Sequence, residues 1–359
     1  MKNHNLVSDH KYSEILVEKR PLLDPKGQEI KGLFNYWILL NNPSQYNSYT
    51  TEAVKEVIMA FRQASCDRSC VAVVFSAVGD KAFCTGGNTK EYAEYYAGNP
   101  QEYKQYMRLF NDMVTTIMMT DKPVINRVNG MRIGGGQEIG MACDYSIAAD
   151  TARFGQAGPK HGSAPDGGST DFLDLYVGFT LGMESCTLCD HWSAHRAVSI
   201  GLLNKIVPVM KNKNGEFISN PFVDLTPYDD WGNPSYGAFK TGTEREKAKQ
   251  LAAECTTDLT LLDQEVNNMA YRLAMTMPDC LHKTIESVRK KKMAHWQQNS
   301  ETNRSWLALN MMTEARAGFR AFNEGPKDNR EVDFLELRRK LADAHPWNDD
   351  LYRSIMPTK

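Results

Sequence analysis

The sequence predicts an α/β fold on three observations. Short apolar, strand-like runs alternate with amphipathic, helix-like segments from about residue 12 to residue 210. Glycine clusters punctuate the strand-to-helix junctions. Hydrophobic residues make up 42% and aromatics 10% of the 359 residues, enough apolar surface to bury a core.

The elements follow in chain order. Residues 12–20 read as a strand, followed by a turn at Asp24-Pro25-Lys26-Gly27. A second strand, 34–40, stops at Asn42-Pro43. Thr50, Thr51 and Glu52 open an amphipathic helix to about residue 64, with Val54, Val57, Ile58 and Phe61 on one face. The continuous apolar run 71–75 has the pattern of a strand buried on both faces. A long helix over 100–120 leads to a strand at 123–128. A glycine run then opens a helix at 137–142, and 144–149 is another strand. After residue 209 the texture turns to loop chemistry, and 210–245 reads as an insert rich in Pro, Gly, Asn and Asp. Its aromatics, Phe217, Phe222, Tyr228, Trp231, Tyr236 and Phe239, imply that it packs on something. The remainder, 246–359, is helical in pattern, with Leu259, Leu262, Val266 and Met269 on one stripe. The division expected is a core over 1–209, an insert over 210–245 and a C-terminal helical region over 246–359.

Composition excludes several classes of function. The 42 Lys and Arg against 44 Asp and Glu leave a net charge of −2, with no cation excess to neutralise nucleic-acid phosphates. No apolar run approaches the roughly 18–20 residues of a membrane span. The first residues, Met1 to Glu14, are polar and lack the apolar stretch of a secretion signal. The eight cysteines are spread along the chain, which suits free thiols in a reducing, cytoplasmic setting. The cluster Cys186, Cys189, His191 and His195 superficially resembles a zinc site. Four ligands crowded into so short a stretch entering a helix converge poorly on a tetrahedron, so no metal is expected.

Three segments carry candidate chemistry. Lys81-Ala82-Phe83-Cys84-Thr85-Gly86-Gly87-Asn88 follows a buried strand, and its adjacent glycines allow a turn that aims free N–H groups outward. In Asn129-Gly130-Met131-Arg132-Ile133-Gly134-Gly135-Gly136-Gln137-Glu138, glycines at the mouth of a helix create an N-terminus suited to an oxyanion. Glu138 falls in the first turn, where the dipole is expected to stabilise its carboxylate. The loop 158–168 carries His161 and Asp166, both suited to acid–base work. Two backbone donors from separate loops with carboxylates nearby are the parts needed to stabilise a thioester enolate.

The chain resembles the crotonase, or enoyl-CoA hydratase/isomerase, superfamily. The resemblance rests on Asn42-Pro43-Ser44-Gln45-Tyr46-Asn47-Ser48, 82–88, Gly134-Gly135-Gly136-Gln137-Glu138, 143–150 and 197–204, all in the family's order. It implies a ClpP-like ββα spiral with a C-terminal helical trimerisation region, a homotrimer or homohexamer, and an acyl-CoA thioester substrate. CoA is then part of the substrate, and no separate cofactor is implied. Carried over by position, Gly87 and Gly135 supply the oxyanion-hole amides. Glu138 matches the first catalytic glutamate, and Ser44, Gln45, Tyr46 and Thr85 lie along the CoA. The family's second glutamate falls at or near Gly158, so it is missing.

The loop through His161 resembles that of 1,4-dihydroxy-2-naphthoyl-CoA synthase, whose catalytic Asp matches Asp166 apart from a single inserted residue. It also resembles that of 6-oxocamphor hydrolase, whose His and Asp make His161 and Asp166 a candidate dyad. Over nearly the whole chain the resemblance is to the ring-opening hydrolases of cyclic oxo-acyl-CoA thioesters in anaerobic benzoyl-CoA degradation. It implies water addition to a ring C=C, then hydrolysis of a ring C–C bond. Glu138 would activate the first water, and His161 or Asp166 would activate the second or protonate the ketone oxygen. A hydratase, a naphthoyl-CoA synthase-like lyase and a non-catalytic binding protein of the same fold are the alternatives. The run Arg289-Lys290-Lys291-Lys292 is a candidate for the CoA 3′-phosphate, or a solvated helix face.

Overall fold

A strand that is apolar at every position must be covered on both faces, and the run 71–75 is. It forms the middle of β3 (Cys70–Ala77) in a computed structural model that describes residues 10–357. Val73 and Phe75 face one apolar core, and Ala72 and Val74 face another on the opposite side of the sheet. The polar N-terminal residues 1–9 lie outside the described residues.

β3 is central to a six-stranded sheet. The other strands are β1 (Ile15–Leu23), β2 (Glu29–Leu40), β5 (Val124–Val128), β7 (Tyr145–Ala149) and β10 (Lys205–Val207). The order is β1-β2-β3-β5-β7-β10. Only β1 and β2 pair antiparallel, joined through a turn in which Asp24 accepts from the amides of Lys26 and Gln28. A second sheet contains β4 (Ala82–Cys84), β6 (Met131–Ile133), β8 (Arg153–Gly155) and β9 (Trp192–Ser193).

The chain visits the two sheets in alternation. β3 and β4 precede the helix Pro100–Met118, β5 and β6 precede the helix Gly135–Ala142, and β7 leads to β8. Each turn of this ββα spiral delivers a loop to the same end of the molecule. The helix Thr51–Cys66 starts where Thr50 accepts the Ala53 amide, and it buries Val54, Val57 and Phe61. The helix Thr260–Ala274 covers the second core with Leu262, Val266, Ala270 and Leu273. Among the described residues no helix is long and apolar enough to cross a membrane.

The basic run 289–292 divides between core and solvent. Arg289 is 3% exposed; it binds Asp144 through Nε (2.7 Å) and Nη2 (2.5 Å) and also donates to the carbonyls of Thr120 and Lys122. Lys292 is buried and donates to the carbonyls of Met141 (2.9 Å), Ala142 (3.2 Å) and Cys143 (2.9 Å). It thereby caps the C-terminal end of the helix Gly135–Ala142, where the dipole favours a cation. Only Lys290 and Lys291 form the solvated face. Arg289 and Lys292 thus donate to groups inside the protein, although both also line a cavity with Lys291.

The insert departs from expectation at its tip. Ser193 donates to the Gly237 carbonyl at 2.6 Å, and Val223 is buried, so its base packs on the core. Trp231 is 89% exposed, because residues 229–233 fold on themselves around the Asp229 carboxylate. Removing one partner of a buried ion pair leaves an uncompensated charge, at a cost of about 3–5 kcal/mol. Asp144→Ala is therefore expected to lower unfolding stability in urea by about that amount. Asp144→Leu combined with Arg289→Met should lose much less.

Candidate functional site

The turn before the helix Gly135–Ala142 needs glycine. Gly134 has φ 56° and ψ −127°, a conformation closed to L side chains. Beyond it, a Cβ on Gly136 would lie 2.0 Å from the Cys84 carbonyl oxygen, so the helix mouth meets β4 backbone to backbone. This contact sets Gly86-Gly87 beside Gly134-Gly135. Gly87 pairs with Tyr49 through the Gly86 carbonyl and the Asn88 amide, which leaves its own N–H outside the pairing. The Gly135 N–H lies in the first helical turn and has no intrahelical acceptor. Two phenols crowd these glycines. A Cβ on Gly87 would lie 1.8 Å from the Tyr92 hydroxyl, and one on Gly135 would lie 2.0 Å from the Tyr49 hydroxyl.

Glu138 is one turn further along and buried. Its Oε1 accepts from the Gly167 amide at 2.9 Å and the Ser169 amide at 3.4 Å. Burial raises its pKa to about 8, the Asp166 charge adds to the rise, and the two amides oppose it. The expected stabilisation of the carboxylate by the helix dipole is outweighed, because desolvation acts on the whole charge. The carboxyl is consequently protonated through much of the neutral range and exchanges its proton near pH 8.

The loop 158–168 opens with a 3-10 turn, Gly158–His161, closed by the Ser163 amide on the Gly158 carbonyl at 2.9 Å. A Cβ on Gly158 would lie 2.2 Å from the Ser163 oxygen. No carboxylate fits there while the loop keeps this shape. His161 packs against Phe319 and Phe322, with ring centroids at 6.2 and 5.0 Å. Its Nδ1 is buried without a hydrogen-bond partner, and burial lowers its pKa, so the ring is neutral at pH 7. Asp166 turns elsewhere and accepts from the Thr170 hydroxyl at 2.8 Å. His161 and Asp166 share no hydrogen bond, so the structure does not form the expected dyad. Asp166 instead acts on Glu138 through charge.

Gly87, Gly135, Glu138, His161 and Thr85 meet around one cavity of about 100 Å³. Asp166, Ser44, Gln45 and Tyr46 are not on its wall. Two of the last three are tied to the glycine loop 85–88. Gln45 accepts from Asn88 Nδ2 at 2.7 Å, and the Tyr46 carbonyl accepts from Thr85 at 3.4 Å. Sequence reasoning missed the aromatic wall of Tyr49, Tyr92, Tyr103, Phe110 and Phe319. The signal was two tyrosine pairs, Tyr92 with Tyr96 and Tyr103 with Tyr106, each spaced by about one helical turn; the break at 97–99 brings the two pairs into edge-on contact. Tyr92 and Tyr106 share a 2.7 Å hydrogen bond, and burial pushes both phenols well above their usual pKa, keeping them neutral.

Comparison with known proteins agrees with this geometry. Residues 36–218 match the family model described as enoyl-CoA hydratase/isomerase. A protein of Thauera aromatica named 6-oxocyclohex-1-ene-1-carbonyl-CoA hydrolase is 57% identical over 357 residues, covering 99% of this chain and 94% of that protein. One of the same name from Geobacter metallireducens is 55% identical, covering 100% of this chain and 95% of that protein. The crystal structure of an enoyl-CoA hydratase/isomerase from Xanthobacter autotrophicus superimposes with a TM-score of 0.64 at 21% identity, covering 94% of this chain and 99% of the other. The match to the family model spans half of the chain and the relatives match nearly all of it, so this protein belongs to the enoyl-CoA hydratase/isomerase family.

Proposed function

We propose that this chain hydrolyses 6-oxocyclohex-1-ene-1-carbonyl-CoA, adding water to the ring double bond and then opening the ring to 3-hydroxypimeloyl-CoA. One observation carries the reading: relatives bearing that enzyme name match it at 57% and 55% identity from end to end, insert included. The cavity chemistry supports it, since a single buried acid, two glycine amides and a neutral histidine face one space. CoA enters as part of the substrate along Ser44, Gln45, Tyr46 and Thr85. The protein works in the cytoplasm as a homotrimer or homohexamer, its C-terminal helices forming the trimer contacts.

Water adds first to the ring carbon β to the thioester. The thioester oxygen gains negative charge, which the Gly87 and Gly135 amides hold; one such donor is worth about 3–4 kcal/mol. Glu138 takes the proton from water and returns it to the α-carbon. A carboxyl near pKa 8 moves protons both ways near neutral pH. The product of this step is a β-keto thioester. A second water, deprotonated by His161, attacks the ring ketone. The C–C bond to the α-carbon breaks, and the electron pair passes into the same thioester enolate. Protonation of that carbon completes the reaction. The ketone carbon leaves as a carboxylate. Asp166 is a positioning residue whose charge raises the proton affinity of Glu138, which makes its carboxylate a stronger base.

Mass spectrometry of the products tests the reading. Two added waters are expected with the wild-type enzyme. Glu138→Gln should slow the first addition by about 10²–10⁴-fold. His161→Ala should accumulate the singly hydrated ring. Wild-type turnover in both variants would remove these roles.

Below pH 8, kcat/KM for hydration should rise about tenfold per pH unit and then level off, as Glu138 ionises. Stability should run the other way. The folded protein holds this proton more tightly than the unfolded chain, so ionisation costs stability. Relative to Glu138→Gln, the wild type should lose stability as pH rises from 4.5 to about 8.

Gly135→Ala keeps its N–H but drives a methyl group into the Tyr49 hydroxyl. It should cost about 10²-fold or more in kcat. Gly135→Ala combined with Tyr49→Phe should recover part of that loss in the same assay.

A further inference from the structure

A second cavity of about 770 Å³ lies behind the site and is far larger than the first. The two share Gln156, Ala157 and His161 as a dividing wall. On that wall His161 Nδ1 and Gln156 Oε1 are both buried and unpartnered. The outer walls come from the insert and from the chain that follows the helix Glu314–Glu324.

Its lining is cationic. Arg153, Lys160, Lys240, Arg245, Lys327 and Arg330 face three carboxylates, so positive charge is in excess. Lys160 pairs with Glu331 at 3.7 Å. Lys240, Arg245 and Lys327 make no ion pair among the described residues. Arg153 lies over Phe239 and Arg330 over Phe322, at 5.1 and 5.4 Å from the ring centroids. Apolar rings beneath a set of cations suit a short hydrocarbon chain ending in an anion.

We propose that this cavity receives the carboxylate created by ring opening. The inference rests on the reaction proposed above. The ring of the substrate carries a neutral ketone at that carbon and presents no anion at that end of the molecule. After cleavage the same carbon is a carboxylate at the free end of a flexible chain, while the thioester stays at Gly87 and Gly135. Drawing that end past His161 separates it from the enolate carbon and opposes re-closure of the ring. The insert thereby acquires a function, since Phe222, Phe239 and Lys240 belong to it.

Equilibrium binding of two unreactive thioesters tests the site. Pimeloyl-CoA carries the terminal carboxylate, and heptanoyl-CoA of equal chain length lacks it. The wild-type protein should bind pimeloyl-CoA about tenfold more tightly or better, as charge-assisted contacts allow. Lys240→Met with Arg245→Met should abolish that preference and leave heptanoyl-CoA affinity unchanged, which also reports that the variant is folded. Lys327→Met with Arg330→Met, on the opposite wall, should do the same. Equal affinities in the wild type would overturn the proposal. So would variants that weaken both thioesters equally and erase a preference for CoA over 3′-dephospho-CoA, because the cations would then serve the CoA phosphate. The binding assay needs no turnover. A protein that prefers pimeloyl-CoA yet fails to open the ring retains the carboxylate site and loses the proposed reaction.

Discussion

The site depends on one short helix held at both ends. The segment Gly135–Ala142 is too short to persist alone, since helix nucleation is costly and few hydrogen bonds follow it. Its N-terminal end is fixed by backbone contact with β4 through Gly136. Its C-terminal end is fixed by Lys292, whose ammonium takes the last carbonyls. Beside it, Arg289 and Asp144 tie the following turn to the long helix Pro278–Asn310. Arg132, fully buried, braces the same helix by donating to Gln137 at 2.8 Å and to Asn126 and Ser146 at 2.9 Å. Burial without a carboxylate partner lowers its pKa to about 10, and the guanidinium keeps its charge.

With the helix fixed, the proton affinity of Glu138 follows from its surroundings. Desolvation acts on the charged form, and two amides return only part of the lost hydration. The loop that supplies those amides also curls too tightly at Gly158 to carry a side chain. The same backbone path therefore supports one acid and excludes a second. The helix Glu314–Glu324 closes over this loop because Gly318 has no side chain to meet the His161 carbonyl, and Phe319 reaches the cavity.

Much of this was legible in the residues. The apolar run of β3 could only be buried on both faces, and Thr50 marked its helix start by the chemistry of its hydroxyl. The paired glycines at 86–87 and 134–136 announced backbone that had to turn sharply or approach closely. Other features were not legible. The run 289–292 looks like a solvated face, yet two of its four residues are buried against carbonyls and a carboxylate contributed by distant segments. Trp231 looks like a packing residue and stands in solvent.

The local chemistry is written in the chain: which segments are apolar, where glycine permits a turn, and which acids and bases lie near those turns. These follow from covalent structure and short-range periodicity. Which of those groups share a space is set by long-range packing. Glu138 and His161 line one cavity while Asp166 turns to Thr170, and the tyrosines converge on the glycine amides. Such choices depend on contacts between residues far apart in the chain, and on desolvation that no isolated segment experiences.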